Sequence, residues 1–223
     1  MTVHSVADKN SRDNEAPKRA RILDAAEVIF ARHGFFAAKV SDVAKEAGVA
    51  DGTIYLYFKN KDDLLISLFE RRMVQLNDGL KAAIAGKQPR DALRAFIRTH
   101  MQILADHPTA TEVLTIESRS SNKFMKEYDN PAFVDFLRTL GGILAAAQEA
   151  GEFDDAIPPH IAARMIFGLL DELALAWVLA RTPSINGGSP GTRPKKFDIV
   201  RAADWIIHMV ETGLVRNASK ELA

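Results

Sequence analysis

The chain has 223 residues, 47% of them hydrophobic, with 29 basic and 29 acidic side chains and no cysteine. That length accommodates one large helical domain or two smaller ones, each with a real core. Zero net charge argues against a protein that coats nucleic acid or membrane non-specifically, and the lack of cysteine rules out disulfides and cysteine zinc sites.

Residues 1–15 are polar, mixed in charge and without an apolar h-region, so they read as a disordered arm and not as a signal peptide. A first helix is predicted over 17–33, with Ile22, Leu23, Ala26, Ile29 and Phe30 on one face and Gly34 as its stop. Val40 to Ala47 reads as a short second helix with Val43, Ala44 and Ala47 inward. Gly48 makes the turn, and Ala50 to Phe58 forms the third helix. Three helices with a tight glycine turn between the last two are the helix-turn-helix arrangement. From Ala16 to Asp63, eight Lys/Arg face seven Asp/Glu. DNA binding by this segment therefore has to come from where its charges stand, not from their sum.

A longer helix is predicted from Lys61 to Ile84, with Leu64, Leu68, Leu76 and Leu80 at helical spacing and Asp62 and Asp63 at its dipole-favoured start. Gly86 to Pro89 is a hinge. Leu93, Phe96, Ile97, His100, Met101 and Leu104 form the stripe of the next helix, which Asp106-His107-Pro108 ends. Asn130-Pro131 caps and opens a helix lined by Phe133, Leu137, Leu140 and Leu144, ending at Gly151. Pro158-Pro159 opens an apolar helix to Arg181, which Arg164, Asp171 and Glu172 make a poor membrane span. Residues 183–196 read as a mobile Gly/Pro/Ser loop, and Phe197 to Val215 as the last helix. The expected fold is all-α: a helix-turn-helix domain over 16–62, a larger helical ligand-binding and dimerisation domain over 63–216, and a tail over 217–223.

The stretch Gly48-Val49-Ala50-Asp51-Gly52-Thr53-Ile54-Tyr55-Leu56-Tyr57-Phe58-Lys59-Asn60-Lys61 is poor in charge, yet it crowds hydroxyls, aromatics and a glycine onto a short helix. Hydroxyls and lysines donate to phosphates, and a glycine permits close approach of a duplex. Ile54 and Phe58 share a face and serve the core, which leaves Tyr55 and Tyr57 on either side of it with at least one projecting outward.

With Ile22-Leu23-Asp24-Ala25-Ala26, Phe30, His33-Gly34-Phe35, Val43-Ala44 and Leu64-Leu65 added, the run from Arg21 to Leu65 resembles the DNA-binding domain of the TetR family of bacterial repressors. The resemblance implies phosphate contacts at Thr53, Tyr57 and Lys61, and base contacts around Asp51, Gly52 and Tyr55. Where the family often has a threonine before helix two, Ala38-Lys39-Val40 stands here, which leaves Lys39 and Ser41 as candidates for that contact. Glu117-Ser118-Arg119, Met165-Ile166-Phe167-Gly168, Asp171-Glu172 and Trp177 are similar to the FadR-like branch of the family. That likeness implies repression of fatty-acid degradation genes from a palindromic operator, a homodimer, and release by long-chain acyl-CoA.

Several residues have plainer readings. Arg119 is either a surface arginine paired with Glu117 or an anion anchor for a ligand phosphate, with Lys123 and Lys126 near it. Phe124, Tyr128, Phe133, Phe136 and Phe167 suit a core as well as a tunnel for an aliphatic chain. Asp171 and Glu172 inside an apolar helix either pair structurally, as with Arg164, or lie at a dimer seam or hydrogen-bond a ligand, structural pairing being the favoured reading. His100 and His107 alone make a weak metal signal. Arg119, Asn122, Tyr128, Phe133, Phe136 and Phe167 are the expected ligand contacts. The dimer seam is expected on Pro159–Arg181 and Phe197–Val215, with Ile199, Ile206, Met209, Val210 and Gly213 on its apolar face and Trp177 at its edge. No catalytic constellation, metal site or cofactor is expected, and the default compartment is the cytoplasm. The rival readings are the same fold sensing a drug or signal, and, remotely, a helical acyl-binding protein or enzyme.

Overall fold

The computed structural model describes residues 4–181 and 195–214. Residues 183–194 of the expected loop and the 217–223 tail lie outside them. Among the described residues the elements are α1 (His4–Ala37), α2 (Val40–Ala47), α3 (Asp51–Tyr57), α4 (Lys61–Ile84), α5 (Pro89–Asp106), α6 (Pro108–Thr115), a 3-10 turn (Glu117–Ser120), α7 (Asn122–Glu127), α8 (Pro131–Glu149), α9 (Pro159–Arg181) and α10 (Ile199–Leu214).

The punctuation read from sequence sets most of these boundaries. Gly34 leaves helical geometry at φ 73° and breaks α1 where the first helix was expected to stop. Gly48 closes α2 in the left-handed region, its N–H on the carbonyls of Ala44 and Lys45. Asn130 accepts from the Phe133 amide at 3.1 Å, with Pro131 at the first position of α8. One start differs: α1 begins at His4, not Pro17, so the arm expected to be disordered continues the helix. The added stretch is polar, with no apolar stripe that burial would have made visible in the sequence.

The chain divides into two compact units. The first comprises Met1–Arg71 with Glu112–Tyr128, the second Arg72–Thr111 with Asp129–Ala223. The division differs from the expected 16–62 and 63–216 boundary. The first eleven residues of α4 and the segment 112–128 pack with the helix-turn-helix.

In the first unit, Ile22, Phe30, Val43, Ile54, Phe58 and Leu68 share one core with Val113. Arg71 bonds the Ala20 carbonyl at 3.2 Å and pairs with Asp24 at 2.8 Å, tying α4 to α1. In the second unit, α5 packs on α8 and α10, and α8 and α10 each pack on α9. Arg90 and Arg94 converge on Glu211 at 3.0 and 2.7 Å and hold α5 to α10. The two guanidinium groups, Arg90 first, keep the Glu211 carboxyl at about 2, well below its usual range. Among the described residues no helix is long and apolar enough to cross a membrane.

Candidate nucleic-acid interface and ligand contacts

Two buried anchors, Ile54 and Phe58, seat α3. Seven residues long, the helix has one face in the core and leaves the rest outside. Asp51 and Gly52 are exposed, and a Cβ at Gly52 would meet nothing within 4 Å. Nothing inside the fold therefore calls for a glycine there. Tyr55 is 59% exposed and Leu56 is 81% exposed, whereas Tyr57 packs half-buried against the core. Of the two tyrosines, Tyr55 is the more outward. Thr53 is half-buried, and Lys39 and Ser41 are exposed at the start of α2.

Lys61 is placed differently from a free phosphate-seeking lysine. Its ammonium donates to the carbonyls of Phe36 and Ala38 at 3.0 and 3.1 Å and stands 4.7 Å over the Phe35 ring. Two of its three protons already fix the turn between α1 and α2, and one remains for an outside acceptor. Next to that turn Phe36 is 77% exposed. Sequence reading passed over Phe36 and Leu56, because an isolated apolar residue beside a core residue looks like more core.

The expected ligand contacts fall in two groups. Arg119, Asn122 and Tyr128 belong to the first unit. Arg119 and Asn122 are exposed, and the Arg119 guanidinium donates to the Thr115 carbonyl. The Tyr128 hydroxyl is buried beside Glu70; burial first, and the Glu70 carboxylate second, raise its pKa above the usual phenol value. In the second unit the aromatics come together. Phe133 stacks on Phe136 at 6.3 Å, and Phe167 meets their edges at 4.7 and 5.8 Å. His100, read in the sequence as part of an apolar stripe and, with His107, as a weak metal signal, adds to this cluster at 5.5 Å from the Phe136 ring. It is buried, with its Nδ1 lacking a hydrogen-bond partner.

A cavity of about 430 Å3 opens between α9 and α10, lined by apolar residues including Ile157, Met165, Leu169, Met209 and Leu214. The seam residues read from sequence need correction here. Ile199, Ile206, Val210 and Trp177 are buried within the chain's own core, with Arg181 4.5 Å over the Trp177 ring. The apolar side chains left outside are Ile161, Met165, Leu179, Val200, Trp205 and Met209. Glu172 is exposed and Asp171 half-buried, so neither is a deeply buried carboxylate. An amphipathic helix with two apolar faces does not say which face its own chain covers.

Residues 22–68 match the family described as "Bacterial regulatory proteins, tetR family", and residues 69–186 match "YsiA-like protein, C-terminal region". This chain belongs to the tetR family of bacterial regulatory proteins. It is 34% identical over 199 residues to the fatty acid metabolism regulator protein of Bacillus subtilis, covering 89% of this chain and 96% of that one. Among solved structures, FadR from Bacillus subtilis in complex with stearoyl-CoA superposes with a TM-score of 0.76 at 34% identity, over 87% of this chain and 98% of that chain. The fatty acid degradation regulator FadR from Bacillus halodurans gives 0.75 at 32% identity, over 87% and 98%. Family membership makes α2–Gly48–α3 the DNA-reading element, with α3 as the recognition helix. The relatives are transcriptional and metabolic regulators.

Proposed function

We propose that this chain is a homodimeric repressor of fatty-acid degradation genes that leaves its palindromic operator when it binds a long-chain acyl-CoA. The observation that carries this reading is a likeness spanning 98% of a relative bound to stearoyl-CoA. A long-chain acyl-CoA joins an aliphatic tail to a polyanionic head. Phe133, Phe136 and Phe167 supply an aromatic wall suited to the tail. Arg119 and Asn122, both exposed, are the polar side chains we assign to the head, and Tyr128 remains an expected contact.

On the DNA side, Thr53, Tyr57, Lys39, Ser41 and the remaining proton of Lys61 address phosphates, while Asp51, Gly52 and Tyr55 meet the groove. One such helix reads too few base pairs for an operator, and a two-fold pair doubles the contacts. The exposed α9–α10 face, with Met165, Trp205 and Met209, is the seam we assign to that pair. Effector and operator compete through populations: acyl-CoA releases DNA to the extent that it binds the DNA-incompetent state more tightly.

The test is a fluorescence-anisotropy titration on the promoter DNA flanking the gene, at fixed salt because phosphate contacts make affinity salt-dependent. Tight binding released by stearoyl-CoA, but not by free CoA or fatty acid, is the expected result. Tight binding indifferent to acyl-CoA would leave a repressor of the same fold sensing another hydrophobic compound.

A further inference from the structure

The segment 112–128 lies far along the chain from the helix-turn-helix, yet it packs in the same unit. Val113 is fully buried in the core that α1 to α4 share. Two side chains of this segment are hydrogen-bonded to the helices that flank the DNA-reading element, α1 before it and α4 after it. The Glu117 carboxylate accepts the Phe35 N–H at 2.6 Å across 82 residues. Because α1 breaks at Gly34, that amide faces an acceptor from another segment, and Glu117 supplies it. The carboxylate also rests where a Cβ on Gly34 would come within 3.6 Å of it. At the other end, Ser121 Oγ donates to Asp62 in the first turn of α4 at 2.6 Å. The same buried oxygen accepts the Phe124 N–H at 3.1 Å and caps α7.

We propose that Glu117 and Ser121 are positioning residues that lock the helix-turn-helix in its operator-binding arrangement, and that the effector acts by drawing their segment out of the lock. The second half of this statement rests on the acyl-CoA reading above. Glu117 fixes the turn that leads into α2, and Ser121 fixes the start of α4, which follows α3. Arg119 and Asn122, the donors assigned to the ligand head, are within two residues of them. A ligand that recruits those donors displaces the backbone carrying both bonds. In this proposal the closed lock is the dominant state of the protein without effector and the state that operator binds. Opening it by mutation has an asymmetric consequence. Effector affinity rises by nearly the full shift in the equilibrium, because less energy is spent on opening, while operator affinity falls by a smaller factor.

The experiment measures stearoyl-CoA binding without DNA, operator binding without effector, and thermal unfolding, for the wild type and four variants. Glu117→Ala removes a charge-assisted bond, and acyl-CoA affinity is expected to rise about tenfold. Glu117→Gln keeps an acceptor and falls between it and the wild type. Ser121→Ala and Asp62→Ala are expected to raise acyl-CoA affinity and lower operator affinity as Glu117→Ala does, the second while leaving the α7 cap intact. A merely structural role weakens operator binding and leaves acyl-CoA affinity unchanged or lower; that outcome in Glu117→Ala overturns the lock. If the wild type binds no acyl-CoA, the effector reading has failed by itself. Hydrogen exchange at the Phe35 amide then decides the lock: slower exchange on operator binding supports it, and unchanged exchange overturns it.

Discussion

His100 has an imidazole buried among aromatic rings, with Nδ1 unbonded, and desolvation lowers its pKa from 6.5 to about 4. The folded chain therefore keeps this histidine neutral over a range in which the unfolded chain protonates it. Stability contributed by the neutral form is intact above about pH 6.5 and declines as pH falls toward 4. Two to three pH units at 1.4 kcal/mol each put that loss at about 3 kcal/mol. His100→Leu removes the titration while keeping an apolar filling. Urea unfolding at pH 7.5 and 4.5 is expected to show the wild type losing about 2–3 kcal/mol more than the variant between the two pH values. Parallel losses would mean that the imidazole takes up its proton as readily in the folded chain as in the unfolded one.

At the scale of the element, α3 separates what holds it from what it presents. Ile54 and Phe58 are 1% and 2% exposed, while Tyr55 is 59% exposed. Tyr55→Ala should weaken operator binding about tenfold, the worth of one good base or phosphate contact, and leave the melting temperature unchanged. Ile54→Ala opens a cavity in the core and should lower stability by about 2–5 kcal/mol, taking operator binding with it. Operator affinity of Tyr55→Ala within twofold of wild type would remove that side chain from the interface. The periodic pattern of Ile54 and Phe58 was legible in the sequence because it repeats every four residues. The engagement of Lys61 with Phe36 and Ala38 was not, because the residues are 25 and 23 positions apart.

For the whole molecule, the decisive surface is the apolar face of α9 and α10. Met165 and Met209 are 56% and 49% exposed and both line the cavity between these helices. A charge there is harmless in a solvated monomer and costly in a sealed interface. Met165→Glu with Met209→Glu should therefore give a monomer by light scattering, with helical content intact and operator affinity reduced at least a hundredfold. A dimer that survives both changes would place the seam elsewhere.

The sequence by itself determined the helical class, the helix boundaries from Gly34 to Asp106 and those of α8, and the helix-turn-helix, but not α6, the 3-10 turn or α7. Each of these depends on signals within a turn or two of chain: apolar spacing, caps, prolines, and glycines such as Gly48 that need a positive φ. The tertiary structure alone decided that residues 112–128 pack with the helix-turn-helix, that Glu117 and Ser121 bond Phe35 and Asp62, and that Trp205, not Ile206, is left facing outward. Those outcomes depend on which of several equivalent apolar faces meets which, and on hydrogen bonds between residues 59 and 82 positions apart. No local pattern encodes them, since any helix of similar amphipathicity could have filled the same place.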